Sequence, residues 1–391
     1  MGRRVRSVCC WGTFERDYPR NRTLIAALER AGFEVTTVNH SVWERDQDKP
    51  GAYAGLTSKL KLGLRLAGAY ALLSWRLLRV GRCDLMLVMY PGHFDMPLAR
   101  VLSRLKRSRL VFDVFISLYD YAVTDRGLYR DGSRPARLLR WIDRRACRLA
   151  DEVLIDTQAH LRFFVEKLGV SPERIHVVPV GADEPYFGTD RSEEDDTDDD
   201  PRLVLFWGKY APLHGVEVIV RCAARLRRRG DVRFLMVGEG QTKPLATRLA
   251  EESGLTNVEF IGSVPPEELA ILTRRATVCL GIFGTTPKAG RVIPNKVYSA
   301  LAAGRAVVTA DSPAMNRGLV ADREVVLVPP GRDDLLAEAV TRLIDDRERR
   351  RAIASAGRRA YFARFSTGVI AEQLRQIIDT PRDRPGPPED R

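Results

Sequence analysis

Short runs of apolar residues alternate with longer stretches of helical periodicity along most of the chain. In the first half the apolar runs predict six strands, at residues 6–11, 34–39, 85–89, 110–115, 152–156 and 175–179. Short strands that are apolar on both faces are typical of a parallel sheet covered by helices. The pattern therefore predicts an α/β N-terminal domain over residues 1–187.

The same pattern starts again in the second half. Six more strands are predicted at residues 203–207, 233–237, 258–261, 278–283, 306–310 and 325–328, and helices at 215–229, 243–253, 266–275, 294–303 and 333–345. This alternation predicts a second doubly wound, Rossmann-like domain over residues 202–346. Two such domains in series leave a cleft between the carboxyl ends of their strands, where ligands bind in open α/β folds.

The remaining segments differ in composition from the two domains. An acidic run over residues 188–201 predicts a solvated linker between them. Residues 347–380 predict one or two final helices, for which the N-terminal domain is a candidate packing surface. The charged and proline-rich tail, 381–391, predicts disorder.

Residues 281–310 carry more candidate chemistry than any other segment. A turn rich in Gly, Thr and Pro follows a predicted strand, and a helix then opens at Pro294, Asn295 and Lys296. The start of a helix presents unpaired N–H groups and the positive end of its dipole, which together hold a phosphate. We therefore expect Asn295 and Lys296 to contact a phosphorylated ligand.

The net charge of the 391-residue chain is +12, and the basic residues are clustered. No acidic residue lies between Asp48 and Asp84, and further basic stretches occupy residues 100–109 and 134–148. Basic surfaces fit phosphorylated ligands, anionic lipid or nucleic acid. The chain has no zinc-finger spacing, RNP-type motif or basic zipper, so we predict no nucleic-acid partner.

Residues 54–82 leave two interpretations open. They are apolar and basic without any acid, as in helices that lie on an anionic membrane, but a core helix with a basic outer side fits equally. No uncharged run approaches the roughly 20 residues of a membrane span, and the six cysteines are scattered. We expect reduced thiols in a cytoplasmic protein, with peripheral contact at the inner face of the membrane left open.

Five motifs together resemble a known family. They are VVPVGAD at 177–183, FWGKYAPLHGVEVIV at 206–220, FLMVGEG at 234–240, NVEFIGSVPPEEL at 257–269 and PNKVYSALAAGRAVVT at 294–309. Their order and spacing are similar to those of the GT-B glycosyltransferases classed as family 4 retaining enzymes. The resemblance implies transfer of a hexose-type sugar from a nucleotide-sugar donor in the C-terminal domain to a hydroxyl acceptor on the N-terminal one. It also implies retention of configuration and no metal or other cofactor.

The leaving diphosphate in such a reaction needs cations and N–H donors around it. The resemblance places Lys209 and His214 where the family usually carries an Arg or Lys and a second Lys, and adds the Asn295 and Lys296 helix start. A solvated Lys209 or a His214 that only caps a helix remains the alternative. If His214 contacts the diphosphate, donor affinity should rise as pH falls toward about 6.5.

Other donor-side candidates follow from the same motifs. Gly238 and Gly240 are expected to let the backbone approach the nucleotide, and Val264 to contact its base. The family usually carries two glutamates where this chain has Arg291 and Ser299. Arg291 is therefore a candidate for an anionic group of the donor, with an exposed loop arginine as the alternative.

Three residues of the N-terminal half complete the candidate site. Gly12 follows the first strand, where the family places a loop against the diphosphate. The histidine that the family often carries after the fourth strand is missing here. Asp113 and His93 are the candidate catalytic groups in its place, beside Lys209; a carboxylate that only caps a loop is the alternative for Asp113.

The acceptor remains open between a glycan, a lipid-linked glycan and a small molecule. Two further functions stay open on the same fold. One is a nucleotide-sugar 2-epimerase-like enzyme, which would convert the donor without any acceptor. The other is a non-catalytic GT-B subunit that binds a partner, which would be consistent with the missing glutamates.

Overall fold

The structure, a computed structural model, describes residues 5–42, 56–188 and 202–380, with the backbone alone for residues 56–60. Most of the predicted acidic linker, the whole predicted tail and the first residues of segment 54–82 lie outside these ranges. Among the described residues, no helix is long and apolar enough to cross a membrane.

The N-terminal half forms a six-stranded parallel sheet. Its strands are β1 (Ser7–Gly12), β2 (Glu34–Asn39), β3 (Leu85–Val88), β4 (Arg109–Asp113), β5 (Glu152–Ile155) and β6 (Ile175–Val177). The helices are α1 (Pro19–Arg30), α2 (Leu56–Arg79), α3 (Met96–Lys106), α4 (Arg134–Leu149), α5 (Gln158–Leu168) and α6 (Glu184–Phe187), with a π-helical turn at Asp120–Asp125. The strand order is β2-β1-β3-β4-β5-β6.

The C-terminal half forms a second six-stranded parallel sheet. Its strands are β7 (Arg202–Trp207), β8 (Val232–Val237), β9 (Val258–Ile261), β10 (Val278–Leu280), β11 (Ala306–Ala310) and β12 (Val326–Val328). Its helices are α7 (Val216–Arg225), α8 (Lys243–Glu252), α9 (Pro266–Arg275), α10 (Asn295–Ala302), α11 (Pro313–Gly318) and α12 (Asp333–Asp345). The order β9-β8-β7-β10-β11-β12 reverses direction between β7 and β10.

The predicted α/β class with two Rossmann-like domains is confirmed. Several strands end earlier than predicted, and β10 differs most: it ends at Leu280, although apolar residues continue to Phe283. The N–H of Ile282 is donated to Oγ1 of Thr309 at 3.1 Å, and the N–H of Phe283 to the carbonyl of His214 at 2.9 Å. The chain therefore leaves the sheet early and turns over the neighbouring loop.

Two final helices follow, α13 (Arg347–Arg364) and α14 (Thr367–Asp379). Helix α13 packs on the C-terminal domain, where Gly357 lies against Leu301 of α10. Helix α14 crosses to the N-terminal domain and packs on α1, and its buried residues join the core cluster that contains Leu24 and Leu28: Ile370, Ala371, Leu374 and Ile378. The chain thus passes between the two domains a second time.

Candidate functional site

The strand order of the C-terminal sheet predicts a ligand-binding crevice at the carboxyl ends of β7 and β10. In open α/β sheets a ligand binds where the order of strands reverses, outside their carboxyl ends. Gly208 and Lys209 follow β7 there, and the loop after β10 leads into α10. The candidate donor residues of the C-terminal half lie around this edge.

Lys296 is the most unusual group at this edge. Its side chain is buried, with the residue only 5% exposed, and Nζ has no hydrogen-bond partner among the described residues. Nζ lies 3.9 Å from the centroid of the Phe206 ring. Burial holds the pKa of Lys296 well below its usual range. Buried polar groups in proteins are almost always paired, so this unpaired amine is a candidate contact for a ligand.

Gly208 brings Lys296 and His214 together. A Cβ at Gly208 would stand 3.1 Å from Nζ of Lys296 and 3.0 Å from Cε1 of His214. The glycine, which has a φ of +148°, therefore keeps open the space that both side chains border. Asn295 opens α10 beside them, and no side chain caps the N–H groups of that helix start.

His214 is held as a neutral imidazole. Its Nδ1 accepts a hydrogen bond from the N–H of Ala211 at 3.2 Å, so Nε2 carries the proton. Burial, and then the positive charge of Lys296, hold the pKa of His214 well below 6.5. This corrects the pH expectation from the sequence, because no gain in donor affinity near pH 6.5 is expected from this side chain. Neutral His214 still offers an N–H donor.

Lys209 lies exposed at the rim of the same crevice. Gly238 and Gly240, by contrast, are required by the protein itself. With φ angles of +120° and +147°, a Cβ at either position would collide with a carbonyl oxygen, that of Gly208 for the first and that of Lys209 for the second. The two glycines therefore let the loops after β7 and β8 touch, which accounts for them without a ligand. Their role in letting the backbone approach the nucleotide stays a prediction.

Val264 follows β9 and is half-buried against the apolar cluster of the C-terminal domain. The nearby open groove between the β8 loop and α8 is lined by Glu239, Gly240, Lys243, Thr247 and Arg248. The three strand ends after β7, β8 and β9 thus meet along one edge. A role of Val264 toward a base stays a prediction.

The N-terminal candidates have partners inside the protein. A Cβ at Gly12 would collide with the carboxylate of Asp95, which accepts hydrogen bonds from N of Thr13 at 2.7 Å and from its Oγ1 at 2.9 Å. Tyr70 donates its hydroxyl to the same carboxylate at 3.0 Å. The glycine therefore makes room for Asp95, a residue that the sequence interpretation did not single out.

Asp113 and His93 are both buried. Asp113 pairs with Arg20 at 2.8 Å, and both side chains are fully shielded from solvent. Arg20 also donates to the carbonyls of Val178 and Pro179 at 2.7 Å, which ties β4 to the end of β6. His93 packs edge-on against Phe112. This geometry gives Asp113 a structural ion pair, and neither side chain borders open space, so their catalytic roles stay predictions.

Arg291 is only partly exposed and pairs inside the protein, which corrects its interpretation as an exposed loop arginine. Its contact with an anionic group of the donor stays a prediction. Its guanidinium pairs with Asp120 of the N-terminal domain and lies 4.6 Å from the centroid of the Phe163 ring. The hydroxyl of Thr157 donates to the carbonyl of Arg291. Arg291 therefore joins the two domains.

Further contacts join the two halves near the same place. Asp125 accepts a hydrogen bond from the N–H of Leu213 at 3.0 Å and lies 3.8 Å from Nζ of the buried Lys288. Arg126 donates to the side chain of Gln241 at 3.3 Å. The π-helical turn thus meets two loops of the C-terminal domain, and the described structure has its domains bridged beside the crevice.

A buried acid–base chain supports this bridge, and the sequence interpretation missed it. Nδ1 of His160 lies 2.6 Å from Asp156, and its Nε2 lies 3.3 Å from Asp120, the partner of Arg291. Burial lowers the pKa of His160, but the two carboxylates outweigh it and raise the pKa to about 8. The spacing of Asp156 and His160 at the start of a helix was the available signal. Nothing in the sequence pointed to Asp120 across from them.

Two family models match the chain, one in each domain. Residues 19–181 match the model described as a glycosyl transferase 4-like domain, and residues 201–346 match the one described as glycosyl transferases group 1. Both candidate domains are therefore assigned independently of the geometry.

Curated relatives are identical to this chain at between a quarter and a third of the aligned positions. Alpha-D-kanosaminyltransferase of Streptomyces kanamyceticus is 27% identical over 61% of this chain and 63% of that protein. D-inositol 3-phosphate glycosyltransferase of Nocardia farcinica is 29% identical over 73% of this chain and 66% of that protein. The alignments thus span about two thirds or less of these relatives' own length.

Solved structures agree in fold over almost the whole chain. Sucrose-phosphate synthase of Thermosynechococcus elongatus superposes with a TM-score of 0.71 at 17% identity, covering 95% of this chain and 98% of that one. Anabaena Alr3699/HepE in complex with UDP-glucose superposes with a TM-score of 0.68 at 17% identity, covering 95% and 98%. With both domains matched and this architecture shared, the chain belongs to the GT-B glycosyltransferases of the family 4 type.

Proposed function

We propose that the protein transfers a sugar from a nucleotide-sugar donor to a hydroxyl acceptor, with retention and without a metal ion. The observation that supports this most is the buried, unpartnered ammonium group of Lys296 beside His214 and Gly208. A departing nucleoside diphosphate carries negative charge and would be the partner that this lysine lacks. Placing a preorganised cation where negative charge develops is the strongest means of lowering such a barrier.

The donor side of the proposal divides into three contributions. Lys296 supplies charge, neutral His214 supplies an N–H, and the uncapped start of α10 at Asn295 supplies backbone donors. Lys209 at the rim adds a second cation that reaches the diphosphate from the solvent side. UDP and UDP-glucose are the ligands named for Anabaena Alr3699/HepE, so uridine donors are the first to test.

The acceptor side is supported more weakly. The names of two relatives include D-inositol 3-phosphate and phosphatidyl-myo-inositol. For this chain we propose a glycan or a lipid-linked acceptor on the N-terminal domain. A lipid-linked acceptor would bring that domain to an anionic membrane, in line with the basic, acid-free surface of α2.

The test is nucleotide binding followed by transfer. Thermal unfolding of the full chain is measured with UDP, GDP, ADP and their sugars, and a ligand that binds only the folded state raises the melting temperature. We expect one nucleotide to do so, and the shift to shrink in Lys209→Ala. Lys167→Ala is the matched control, because Lys167 is also exposed but lies on α5 of the N-terminal domain.

Two results would contradict the proposal. The first is the absence of any nucleotide-dependent shift in the unaltered protein, which would favour a non-catalytic subunit. The second is conversion of the donor to an epimer in the absence of acceptor, which would favour an epimerase. Anomeric configuration of the product by nuclear magnetic resonance, with and without a chelator, then checks retention and metal independence.

A further inference from the structure

Helices α2, α3 and α4 lie side by side on one face of the N-terminal sheet. Helix α2 connects β2 to β3, α3 connects β3 to β4, and α4 connects β4 to β5, and all three connections run in the same direction across the sheet. Because such crossovers are right-handed, the three helices lie on the same face. Their inner sides share one core cluster, to which the three helices contribute Leu73 and Leu77, Ala99 and Leu102, and Ala146 and Cys147. Helices α1 and α14 cover the opposite face. We call the outer side of α2, α3 and α4 the basic face.

The basic face exposes large apolar side chains. Trp141 is 60% exposed and Leu105 is 71% exposed. Of the fourteen large hydrophobic side chains that are exposed in the described parts of the chain, half lie on these three helices: Leu64, Trp75, Leu78, Val101, Leu105, Leu138 and Trp141. Scattered apolar residues are normal on a protein surface, but a concentration on one face marks an interaction site.

The charge of this face has one sign. Ten exposed basic residues lie on the three helices: Lys61, Arg65, Arg76, Arg79, Arg104, Arg134, Arg137, Arg140, Arg145 and Arg148. The one acidic residue in these helices is Asp143. It is fully buried and accepts hydrogen bonds from Oγ of Ser117 at 2.6 Å and from N of Leu118 at 2.9 Å. The surface of these three helices therefore carries no carboxylate of its own, although Asp151 beside them pairs with Arg100 of α3 at 2.7 Å.

Apolar and basic groups are interleaved along the face. Arg79 lies over the ring of Trp75, with Cζ 3.6 Å from the ring centroid. The guanidinium itself therefore stacks on the ring in a cation–π contact, so charge and apolar surface lie at the same spot on the face. Tryptophan beside Arg or Lys is the composition found at the boundary between lipid tails and headgroups.

We propose that the basic face docks on the surface of an anionic lipid bilayer. The apolar side chains would enter the headgroup region while the surrounding arginines meet anionic headgroups. This inference rests on the proposed function, because docking would serve transfer to a lipid-linked acceptor. Docking itself can occur, and be measured, without transfer. It extends the surface predicted from residues 54–82 across two further helices.

Charge argues against a second copy of the chain as the occupant. A two-fold interface sets one patch against itself, which would bring ten cations against ten others. Nucleic acid would satisfy the arginines but not the leucines, because phosphates dominate its outer surface. An anionic bilayer satisfies both kinds of group at once.

Vesicle co-sedimentation of the full chain tests the proposal. Vesicles of phosphatidylcholine are compared with vesicles that contain an equal part of phosphatidylglycerol, and we expect binding to the mixed vesicles alone. Leu138→Ser with Trp141→Ser should weaken that binding about tenfold or more, and Arg137→Glu with Arg145→Glu should do the same. Circular dichroism of each variant checks folding.

Matched controls lie on the other domain. Leu245→Ser with Ile271→Ser removes two side chains of similar exposure, and Arg227→Glu with Arg228→Glu reverses two exposed charges, and neither pair should change vesicle binding. Nucleotide-dependent thermal shifts on the same variants separate failure of docking from failure of donor binding. Three results would each overturn the proposal. They are vesicle binding that the α4 variants do not change, a dimer in light scattering that those variants abolish, and preferential capture of RNA.

Discussion

At the scale of single residues, the candidate site depends on partners far away in the sequence. Lys296 was singled out from its motif, but its isolation from any acceptor appears only when the structure places Phe206 and Gly208 around it. Arg291 shows the reverse case. Its partner Asp120 lies 171 residues away in the chain, and no local pattern reports a contact of that separation. Motifs therefore selected the residues of the candidate donor side, while the partners of individual charges could be read only from the packing.

Lys296→Met separates a site residue from a structural one. Methionine matches the length of the side chain and needs no hydrogen bond, so the free energy of unfolding without ligand should rise by about 1–3 kcal/mol. The nucleotide-dependent shift should disappear in the same variant. Urea unfolding with and without nucleotide measures both quantities.

The control for this substitution is a buried lysine that already has charged neighbours. Lys288 faces Asp125, so Lys288→Met should destabilise the protein instead, since it leaves a buried carboxylate without its cation. A Lys296→Met protein that is less stable and still binds nucleotide would contradict the assignment.

At the scale of elements, the alternation of apolar runs was enough to predict all twelve strands of the two described sheets and five of the six helices of the C-terminal domain. Strands β9 and β11 and helices α9 and α12 begin and end where the pattern put them, because their apolar and polar residues change at the same positions as their backbone bonding. Strand β10 is shorter because the N–H of Ile282 goes to a side-chain oxygen, Oγ1 of Thr309, and that of Phe283 to the carbonyl of His214. The loops at the strand ends were not predictable, since their contacts are with one another.

Gly240→Ala tests one such contact. The new Cβ would meet the carbonyl oxygen of Lys209, and φ is +147°, a conformation that L side chains rarely adopt. We expect a loss of about 1–3 kcal/mol in the free energy of unfolding. We also expect weaker nucleotide binding, because the loop that carries Lys209 has to shift.

Gly230→Ala is the matched control, because a Cβ at Gly230 would have open space around it and its φ lies outside the left-handed region. Chemical denaturation of both variants gives the comparison. Equal stability of the two proteins would contradict the prediction, because it would show that the loops after β7 and β8 can move apart without cost.

At the scale of the whole molecule, two domains predicted separately turn out to be bridged by charged groups. The chain Asp156, His160, Asp120 and Arg291 crosses from one domain to the other. Sequence patterning has no means of registering such a bridge, since it depends on how two complete domains face each other. The bridge closes one side of the crevice in which we place the donor.

The raised pKa of His160 makes the bridge sensitive to pH. A histidine whose folded pKa is about 8 instead of 6.5 contributes stability that is fully present below pH 6.5 and is lost as pH rises through 8. The shift corresponds to about 2 kcal/mol. We expect the free energy of unfolding of the full chain to fall by about that amount between pH 6 and pH 8.5.

His160→Gln should remove this pH dependence while keeping hydrogen-bonding capacity between the two carboxylates. His176→Gln is the control. His176 lies on β6, 3.3 Å from Glu152 at the start of β5, and it takes no part in the domain bridge. An unchanged slope of stability against pH in His160→Gln would contradict the role of this histidine.

The return of α14 to the first domain has a consequence for synthesis. The apolar side of α1 is covered by residues that leave the ribosome some 350 positions after it. Until α14 has been synthesised, the apolar side of α1 stays exposed, even if the N-terminal sheet has already formed. A ribosome stalled within the second domain would therefore hold a first domain with an exposed apolar surface. A synthetic peptide of residues 367–379, added in trans, should bind that surface and reduce aggregation.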